Sequence, residues 1–307
     1  MRGPPSGRTR KSPNSEERQT TDERGTLTFI ERYGRWALIV GGSAGIGAAA
    51  ADEAASRGLN VITVARRKAL LDERAAAMRS SHGVQVRTIA VDLAQPEAIG
   101  AIVSGTEGCE VGTLVYNAAA EPRGSFLDVP LAEHEANIAV NCTVPTALVH
   151  HYGNPLVKRG HGAIILVTSM GAFQGAKVFA SCFAAKAYEW ILAEGLWAEL
   201  REHGVDALSY VVGATRTETY QGQADGSSDM TQQADELIPL PASEIARWRL
   251  QHPSDPNVIG RRIFDELGSG PIAFSDPADV ESSRLALQPD RRAAVERMSN
   301  LTSGIRH

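Results

Sequence analysis

From Leu27 to about residue 280, short apolar runs alternate with longer stretches that have apolar residues at helical spacing. Most of the apolar runs lack polar residues at alternate positions, which is typical of strands covered on both faces. Strands of this kind, separated by helices, indicate βαβ units and a parallel sheet. The pattern therefore predicts an α/β fold, a single doubly wound domain whose sheet has about seven strands.

The predicted elements account for residues 25–287 as one domain. The strands are predicted at 36–40, 61–65, 84–91, 114–116, 163–168, 207–212 and 272–274. The longer helices are predicted at 45–57, 69–79, 133–149 and 181–202. A cap and a first-turn proline at Asp255-Pro256 predict a further helix, and Gln288-Pro289 opens a terminal one over 288–307.

Two segments depart from this alternation. Residues 1–24 contain no apolar residue except Met1, and they have six basic and four acidic side chains. They predict a disordered tail without the apolar region of a secretory signal, although the basic first half leaves a targeting role open. Residues 218–255 are polar at first and then offer short helical candidates, which predicts a lid-like insert over a substrate or a mobile loop.

Charge and cysteine content narrow the range of partners. The 307 residues include 31 basic and 36 acidic side chains, for a net charge of −5. This balance argues against general nucleic-acid or anionic-membrane binding, and no apolar run approaches the about 18 residues of a membrane span. The three cysteines are too few and too scattered for a disulfide framework or a zinc site. We expect a small-molecule substrate, no metal and a cytoplasmic location.

A glycine-rich turn joins the first predicted strand to the first long helix. Its spacing is Gly-x-x-x-Gly-x-Gly, and glycines there let the backbone turn sharply and approach a pyrophosphate at the amino end of the helix. A plain tight turn is the alternative interpretation. The candidate phosphate-binding residues are Gly41, Ser43, Gly45, Ile46 and Gly47.

The end of the second predicted strand indicates the type of cofactor. In a nucleotide-binding fold this point faces the adenosine ribose, where an acidic side chain would bind the 2′-hydroxyl and an arginine would bind a 2′-phosphate. Arg66 and Arg67 are present there, and no acidic residue is. The sequence therefore predicts NADP(H) over NAD(H), unless the two arginines only begin a solvated helix.

With these residues in place, the chain resembles the short-chain dehydrogenase/reductase family over residues 34–220. Val91-Asp92-Leu93 is similar to the family's adenine-contacting segment, and the segment 116–119 is similar to its Asn-Asn-Ala-Gly strand end. Residues 213–217 resemble the segment that embraces the nicotinamide. By this resemblance the further cofactor-binding residues are Asp92, Leu93, Asn117, Lys186, Gly213, Thr215 and Thr217, and the catalytic set is Asn141, Ser169, Cys182 and Lys186.

The resemblance implies a Rossmann-type fold and a mechanism with three parts. Serine donates a hydrogen bond to the reacting oxygen, tyrosine supplies the proton, and lysine lowers the pKa of that tyrosine and binds the nicotinamide ribose. The tyrosine is expected four residues before Lys186, but Cys182 stands there. Tyr188 cannot replace it from the same helix, because two residues past Lys186 it points to roughly the opposite face.

Cys182 has two interpretations. A thiol has an ordinary pKa of about 8.5, and a nearby ammonium would lower it, so Cys182 could act as an acid. It is also a weak hydrogen-bond donor and shorter than tyrosine, which favours a small buried residue that fills part of the vacated space. In that case the candidate replacement acids are Glu218 and Tyr220 of the insert.

Two functions are compatible with these motifs. One is an NADP(H)-dependent oxidoreductase with a non-standard proton donor, acting on a carbonyl or hydroxyl of an apolar small molecule. The alternative is an NADP(H)-binding protein of this fold that catalyses a rearrangement, cyclisation or elimination, or that acts as a non-catalytic partner. The residues expected to flank an apolar substrate are Phe173, Phe179, Leu237, Ile238 and Trp248. The family resemblance also implies a homodimer or homotetramer, with Trp190, Ile191 and Trp197 available on one helix.

Overall fold

The computed structural model describes residues 27–216, 253–287 and 289–302. These residues form a seven-stranded parallel sheet in the order β3-β2-β1-β4-β5-β6-β7. The predicted α/β fold with one doubly wound parallel sheet is confirmed. The predicted disordered tail and nearly all of the predicted insert lie outside the described residues.

The strands agree with the apolar runs to within a few residues at each end. They are β1 (Trp36–Val40), β2 (Asn60–Ala65), β3 (Val86–Ala90), β4 (Val111–Tyr116), β5 (Gly162–Ser169), β6 (Val205–Val212) and β7 (Ile272–Phe274). The largest difference is in β4, which begins three residues before the predicted start at residue 114. Gly112 and Thr113 interrupt the apolar run there, although both are buried. Thr113 pairs with Ala37 of β1, and Gly112 lies where the register between the two strands shifts.

The helices cover the sheet on both sides. They are α1 (Phe29–Tyr33), α2 (Gly45–Ser56), α3 (Lys68–His82), α4 (Ala98–Gly105), α5 (Leu131–Ile138), α6 (Val144–Arg159), α7 (Ala180–Leu200), α8 (Pro256–Arg262), α9 (Asp279–Ala286) and α10 (Arg291–Thr302). In the part of the chain that the structure describes, no helix combines the length and the apolarity that crossing a bilayer requires.

Alternate side chains of β1 enter two separate hydrophobic clusters, one on each face of the sheet. Leu38 and Val40 belong to the cluster beneath α4, α6 and α7, whereas Ala37 and Ile39 belong to the cluster beneath α2, α3 and α8. All five residues of β1 are buried. Burial on both faces explains why the strand segments are continuously apolar in the sequence.

The helix predicted at 133–149 is interrupted, so that prediction is wrong in its continuity. Between α5 and α6 the segment Ala139–Thr143 is π-helical. Asn141 lies in this segment, where its Oδ1 accepts the Ala120 N–H at 3.1 Å and its Nδ2 donates to the Ala120 carbonyl at 2.7 Å. A one-turn π bulge widens the helix without removing its apolar spacing, which is why the pattern alone predicts one helix.

The parallel arrangement brings the carboxyl ends of all strands to one edge of the sheet. At that edge β1 and β4 are neighbours, although β2 and β3 lie between them in the chain. The connections therefore leave β1 and β4 in opposite directions, and ligands of open α/β sheets bind in the crevice at such a point. The glycine-rich turn after β1 and the residues after β4 line this crevice.

Candidate active site

The glycine-rich turn after β1 is packed too closely for side chains at two of its positions. Gly41 has φ of +87°, and a Cβ there would lie 2.7 Å from the Ala118 backbone nitrogen. A Cβ on Gly47 would lie 2.1 Å from the Gly41 carbonyl oxygen. Asn117 fixes the same carbonyl, since its Nδ2 donates to it at 3.2 Å. The turn is thus held against the end of β4 by contacts that only glycine permits.

The amino end of α2 is open to a ligand. Its N-cap residue, Ala44, makes no side-chain hydrogen bond to the first turn, and no acidic residue lies in that turn. The first N–H groups of a helix without such a cap seek an acceptor, and the helix dipole favours a negative charge. The start of the helix is surrounded by Ser43, Gly45, Ile46 and Gly47. The geometry of the turn therefore fits a pyrophosphate.

The ends of β2 and β3 hold the residues predicted to contact the adenosine part. Arg66 is exposed directly after β2, and within the described residues its guanidinium has no carboxylate partner. Asp92 follows β3, and its Oδ1 accepts the Ala94 N–H at 3.1 Å, while Leu93 is buried in the core. β2 and β3 are paired neighbours, so Arg66, Arg67, Asp92 and Leu93 lie at one corner of the sheet edge.

A cavity of 370 Å³ opens beside the glycine-rich turn, between α2, α3 and α8. Three arginines from separate segments, Arg74, Arg216 and Arg261, line it together with Gly42 and Gly45. In the described part of the chain none of the three arginines forms an ion pair. The cavity therefore adds positive charge next to the turn, which suits an anionic ligand.

The segment after β6 is partly described. Thr215 is buried, and its hydroxyl donates to the Gly213 carbonyl at 3.0 Å. The backbone of this segment pairs with Ser254 through hydrogen bonds of 3.0 Å on both sides, Arg216 N–H to Ser254 O and Ser254 N–H to Ala214 O. The predicted cofactor-binding residue Thr217 and the candidate acids Glu218 and Tyr220 lie outside the described residues.

A polar network links the end of β4 to the start of α7. Asn141 holds Ala120, and its Nδ2 also donates to Asn137 Oδ1 at 2.5 Å. Asn137 in turn donates to the Ser181 carbonyl at 3.0 Å and to the Ser181 hydroxyl at 2.7 Å. Ser181 directly precedes Cys182, so this network fixes the backbone next to Cys182. The sequence reasoning missed Asn137, although its spacing of four from Asn141 places both on one helix face.

Ser169 and Lys186 are connected through β5. Ser169 ends this strand, where its hydroxyl accepts the Gly171 N–H at 3.2 Å. The Lys186 ammonium donates to the Val167 carbonyl, two residues earlier in the same strand, at 3.0 Å. The Lys186 ammonium is therefore held beside the strand that ends at Ser169, and Cys182 lies one turn before Lys186 on α7, which packs on this strand.

Cys182 is buried on α7, one helical turn before Lys186. Burial and, next, the negative charge of Glu121 raise the pKa of the Cys182 thiol to about 12, although the Lys186 ammonium lowers it. The sequence correctly anticipates the direction of the Lys186 effect, but burial is larger. The thiol is neutral at physiological pH, which agrees with a packing role.

Two glutamates near this position were missed by the sequence reasoning. Glu189 is completely buried and accepts a hydrogen bond from the Lys186 ammonium at 2.7 Å. Glu121 lies in the loop after β4, where Arg123 pairs with it at 2.8 Å and also stacks over the Phe179 ring. Both carry signals that could have found them: Glu189 is three residues beyond Lys186 on one helix face, and Glu121 follows a strand at the ligand-binding edge.

The hydroxyls of the described tyrosines are bonded away from Ser169 and Lys186. Their partners are Asp206 for Tyr33, the Val140 carbonyl for Tyr116, Thr106 for Tyr152, Thr146 for Tyr188 and the Ile259 carbonyl for Tyr210. Tyr188 is 41% exposed on the outer face of α7, as its spacing from Lys186 predicts. Within the described residues, no phenol is placed to serve as the proton donor beside Lys186.

A family model described as short chain dehydrogenase matches residues 35–227. The chain belongs to the short-chain dehydrogenase family. This match confirms the family resemblance inferred from the motifs. The family is one of oxidoreductases that bind nicotinamide cofactors. In the described part of the chain, the glycine-rich turn follows β1, Ser169 is the last residue of β5, and Lys186 donates a hydrogen bond to that strand.

Two of the most similar curated relatives are both 7beta-hydroxysteroid dehydrogenases. A 7beta-hydroxysteroid dehydrogenase of Clostridium sardiniense is 32% identical over 240 residues, which are 78% of this chain and 81% of that protein. The 7beta-hydroxysteroid dehydrogenase of Collinsella aerofaciens is 32% identical over 62% of this chain and 73% of its own.

Two solved structures give the same fold. A structure from a study of 7beta-hydroxysteroid dehydrogenase stereoselectivity is 25% identical, covers 89% of this chain and 99% of its own, and has a TM-score of 0.76. A short-chain dehydrogenase from Sphingobium yanoikuyae in complex with NADPH is 26% identical, covers 83% of this chain and 95% of its own, and has a TM-score of 0.66.

Proposed function

We propose that this protein is an NADP(H)-dependent oxidoreductase that interconverts a carbonyl and a hydroxyl group on an apolar small molecule. The observation that carries the proposal is the fixing of Lys186 to β5 two residues before Ser169, at the sheet edge where the glycine-rich turn opens. When bound, the nicotinamide supplies or accepts the hydride. Ser169 is then the hydrogen-bond donor to the reacting oxygen, and Lys186 supplies a fixed positive group beside it.

The cofactor would be held by three parts of this chain. The uncapped start of α2 binds the pyrophosphate, Asp92 and Leu93 bind the adenine, and Arg66 binds the 2′-phosphate. The NADPH complex of the Sphingobium yanoikuyae relative supports the choice of cofactor. The free guanidinium of Arg66 supports it independently, because no carboxylate in the described residues competes for it.

Arg66→Asp should weaken NADPH binding by about 10- to 100-fold and leave NADH binding nearly unchanged. A charge-assisted pair with the 2′-phosphate is worth about 1.5 to 3 kcal/mol, and NADH cannot make it. Calorimetric titration of both cofactors measures the two affinities. Arg284→Asp is the matched control, because Arg284 is an exposed arginine on α9 whose ion-pair partner in the described residues is Glu281. Equal losses for NADPH and NADH would place Arg66 away from the phosphate.

The substrate we propose is a fused-ring apolar ketone or alcohol, with the 7-position of a steroid as the first to test. The names of the curated relatives support this class. The residues expected to flank an apolar substrate support this class less than the sequence indicated. Phe173 is buried against Trp190 and Phe274. Phe179 is buried under Arg123 and against Phe183. Leu237, Ile238 and Trp248 lie outside the described residues.

The experiment is a steady-state assay of NADPH consumption with a panel of ketones, from small cyclic ones to 7-oxosteroids. We expect turnover on at least one fused-ring ketone and little on small ones, because the short side chain of Cys182 would leave space for a bulky substrate where the family's phenol is expected. No consumption above background on any ketone, with NADPH binding intact, would contradict the reductase proposal and favour chemistry without net hydride transfer.

We further propose a homodimer or homotetramer in the cytoplasm. On α5 and α7, the side chains of Leu131, Ile138 and Ile191 are each more than half exposed, which leaves an apolar face for a second copy. Trp190 and Trp197 do not contribute to it, because Trp190 packs on Phe173 and Trp197 lies beneath Arg201. Light scattering that gives a monomeric mass would contradict the assembly. The free thiols of the three cysteines support a reducing compartment.

A further inference from the structure

Glu189 is a buried carboxylate without an evident structural reason. It is 0% exposed, and its Oε2 accepts a hydrogen bond from the Lys186 ammonium at 2.7 Å. Its other oxygen, Oε1, is buried and has no hydrogen-bond partner among the described residues. A buried ion pair seldom stabilises a fold more than apolar residues of the same size, so stability alone does not account for a glutamate at this position.

The surroundings of Glu189 place its charge inside the proposed active site. Lys186 lies one turn before it on α7, and Cys182 lies one further turn back. Two groups on other elements lie within reach of this charge: Tyr116 at the end of β4 and Cys142 of the π-helical segment. Burial raises the pKa of each, and the charge of Glu189 raises it further. Burial is the larger cause for both. The carboxylate therefore acts on the groups that surround Lys186.

The hydrogen bonds of Lys186 leave little freedom to its ammonium. A lysine has three N–H donors, and here one donates to Glu189 and one to the Val167 carbonyl. One donor remains for a bound molecule. Burial works against the charged ammonium, but the attraction of Glu189 and the hydrogen bond to it outweigh this effect and raise the pKa of Lys186. The lysine is consequently held as a cation in one place.

Burial acts on Glu189 in the opposite sense. It raises the pKa of the Glu189 carboxyl to about 7, in spite of Lys186. Above that pH both partners are charged and the pair has no net charge. The carboxylate at 2.7 Å therefore offsets part of the field that the ammonium exerts on the Cys182 thiol, one helical turn away. Of the two charges, the ammonium has the larger effect on the thiol.

We propose that Glu189 is a positioning residue that holds the Lys186 ammonium and offsets part of its charge at residue 182, so that Lys186 activates Cys182 less than an unpaired ammonium would. The inference rests on the proposed function only in assigning Lys186 to the reaction site. It adds to burial and to the charge of Glu121, the larger effects that keep Cys182 from becoming a reactive thiolate. It also implies that the Lys186–Glu189 pair, and not Cys182, is the polar unit that a ligand meets in this part of the site.

The test measures how fast iodoacetamide alkylates Cys182 at pH 8, followed by mass spectrometry of the peptide that contains it. The rate is proportional to the thiolate fraction, which changes tenfold for each unit of thiol pKa. Glu189→Gln keeps the size of the side chain and removes its charge, so Cys182 should react about tenfold faster or more. Lys186→Met should react no faster than the unchanged protein. Glu199→Gln, on the exposed part of α7, is the matched control and should have no effect.

The opposite signs of the two variants separate charge from packing. Loosened packing would accelerate the alkylation of Cys182 in both Glu189→Gln and Lys186→Met. That result, or an unchanged rate in a folded Glu189→Gln protein, would overturn the proposal.

If Glu189→Gln does not fold, the double variant Lys186→Met and Glu189→Leu replaces the pair by apolar side chains. Since Glu189 offsets much of the Lys186 charge, removing both side chains should lower the Cys182 rate by less than tenfold. A rate at least tenfold lower would show that Lys186 had been activating the thiol and would overturn the proposal. No turnover is involved, so failure here is distinct from failure of the reductase proposal.

Discussion

Cys182→Tyr should raise turnover of small ketones by about 10²- to 10⁴-fold while NADPH affinity stays nearly constant. A phenol at residue 182 would extend further than the thiol and would add a strong O–H donor next to Ser169 and Lys186. The thiol of Cys182 provides neither this reach nor a strong donor, and its pKa is raised to about 12, mainly by burial. Turnover is measured with NADPH and small cyclic ketones under saturating conditions.

Cys182→Phe is the matched control for Cys182→Tyr, because it adds the same ring without the hydroxyl. It should fill the space and give no gain on small ketones. Adding Glu189→Gln to Cys182→Tyr should increase the gain, since the Lys186 charge would then be free to lower the pKa of the phenol. Equal rates for the Tyr and Phe variants, with both folded and binding NADPH, would contradict the assignment of residue 182 to the proton donor position.

Gly47→Ala should weaken NADPH binding by about 10²-fold or more. The added Cβ would lie 2.1 Å from the Gly41 carbonyl oxygen and 2.6 Å from Asn117 Nδ2, so the turn must move away from the end of β4. The backbone N–H groups at the start of α2 would then be displaced from the pyrophosphate that they are proposed to bind. Overpacking should also lower the free energy of unfolding by about 1 to 3 kcal/mol. Fluorescence titration and thermal unfolding measure the two effects.

Gly195→Ala is the control for the glycine prediction. Gly195 lies inside α7, and a Cβ there would have no heavy atom within 4 Å outside its own helix neighbourhood. Alanine should therefore stabilise the protein by about 1 kcal/mol through its helix propensity and leave NADPH binding unchanged. Normal NADPH binding by Gly47→Ala would mean that the turn after β1 does not hold the pyrophosphate.

The fold was predictable because both faces of the sheet are covered. A strand such as β1, with all five residues buried, leaves a continuous apolar run in the sequence, and the helices between the runs force the strands to be parallel. Parallel strands bring their carboxyl ends together, so the turn after β1 and Arg66 after β2 could be placed at one edge from the sequence alone. The interruption of the long helix at Asn141 could not, because a π bulge preserves the apolar spacing.

The charge environment of the site was much less predictable. On a helix that also contains Glu194 and Glu199, Glu189 looks like one more surface glutamate until the packing of α7 on β5 and β6 is known. Arg74, Arg216 and Arg261 are far apart in the chain, and only the docking of α8 against α2 brings them to one cavity. The pKa of Cys182 depended on burial, which a motif match does not report.

The most direct test of the central claim is hydride transfer itself, followed with NADPH that carries two deuterium atoms at nicotinamide carbon 4. The purified protein is incubated with this cofactor and a fused-ring ketone, and the product is analysed by mass spectrometry. The account predicts an alcohol that contains one deuterium on the former carbonyl carbon and the formation of an equal amount of NADP⁺. A product isomeric with the ketone, without deuterium and with NADPH unchanged, would contradict it.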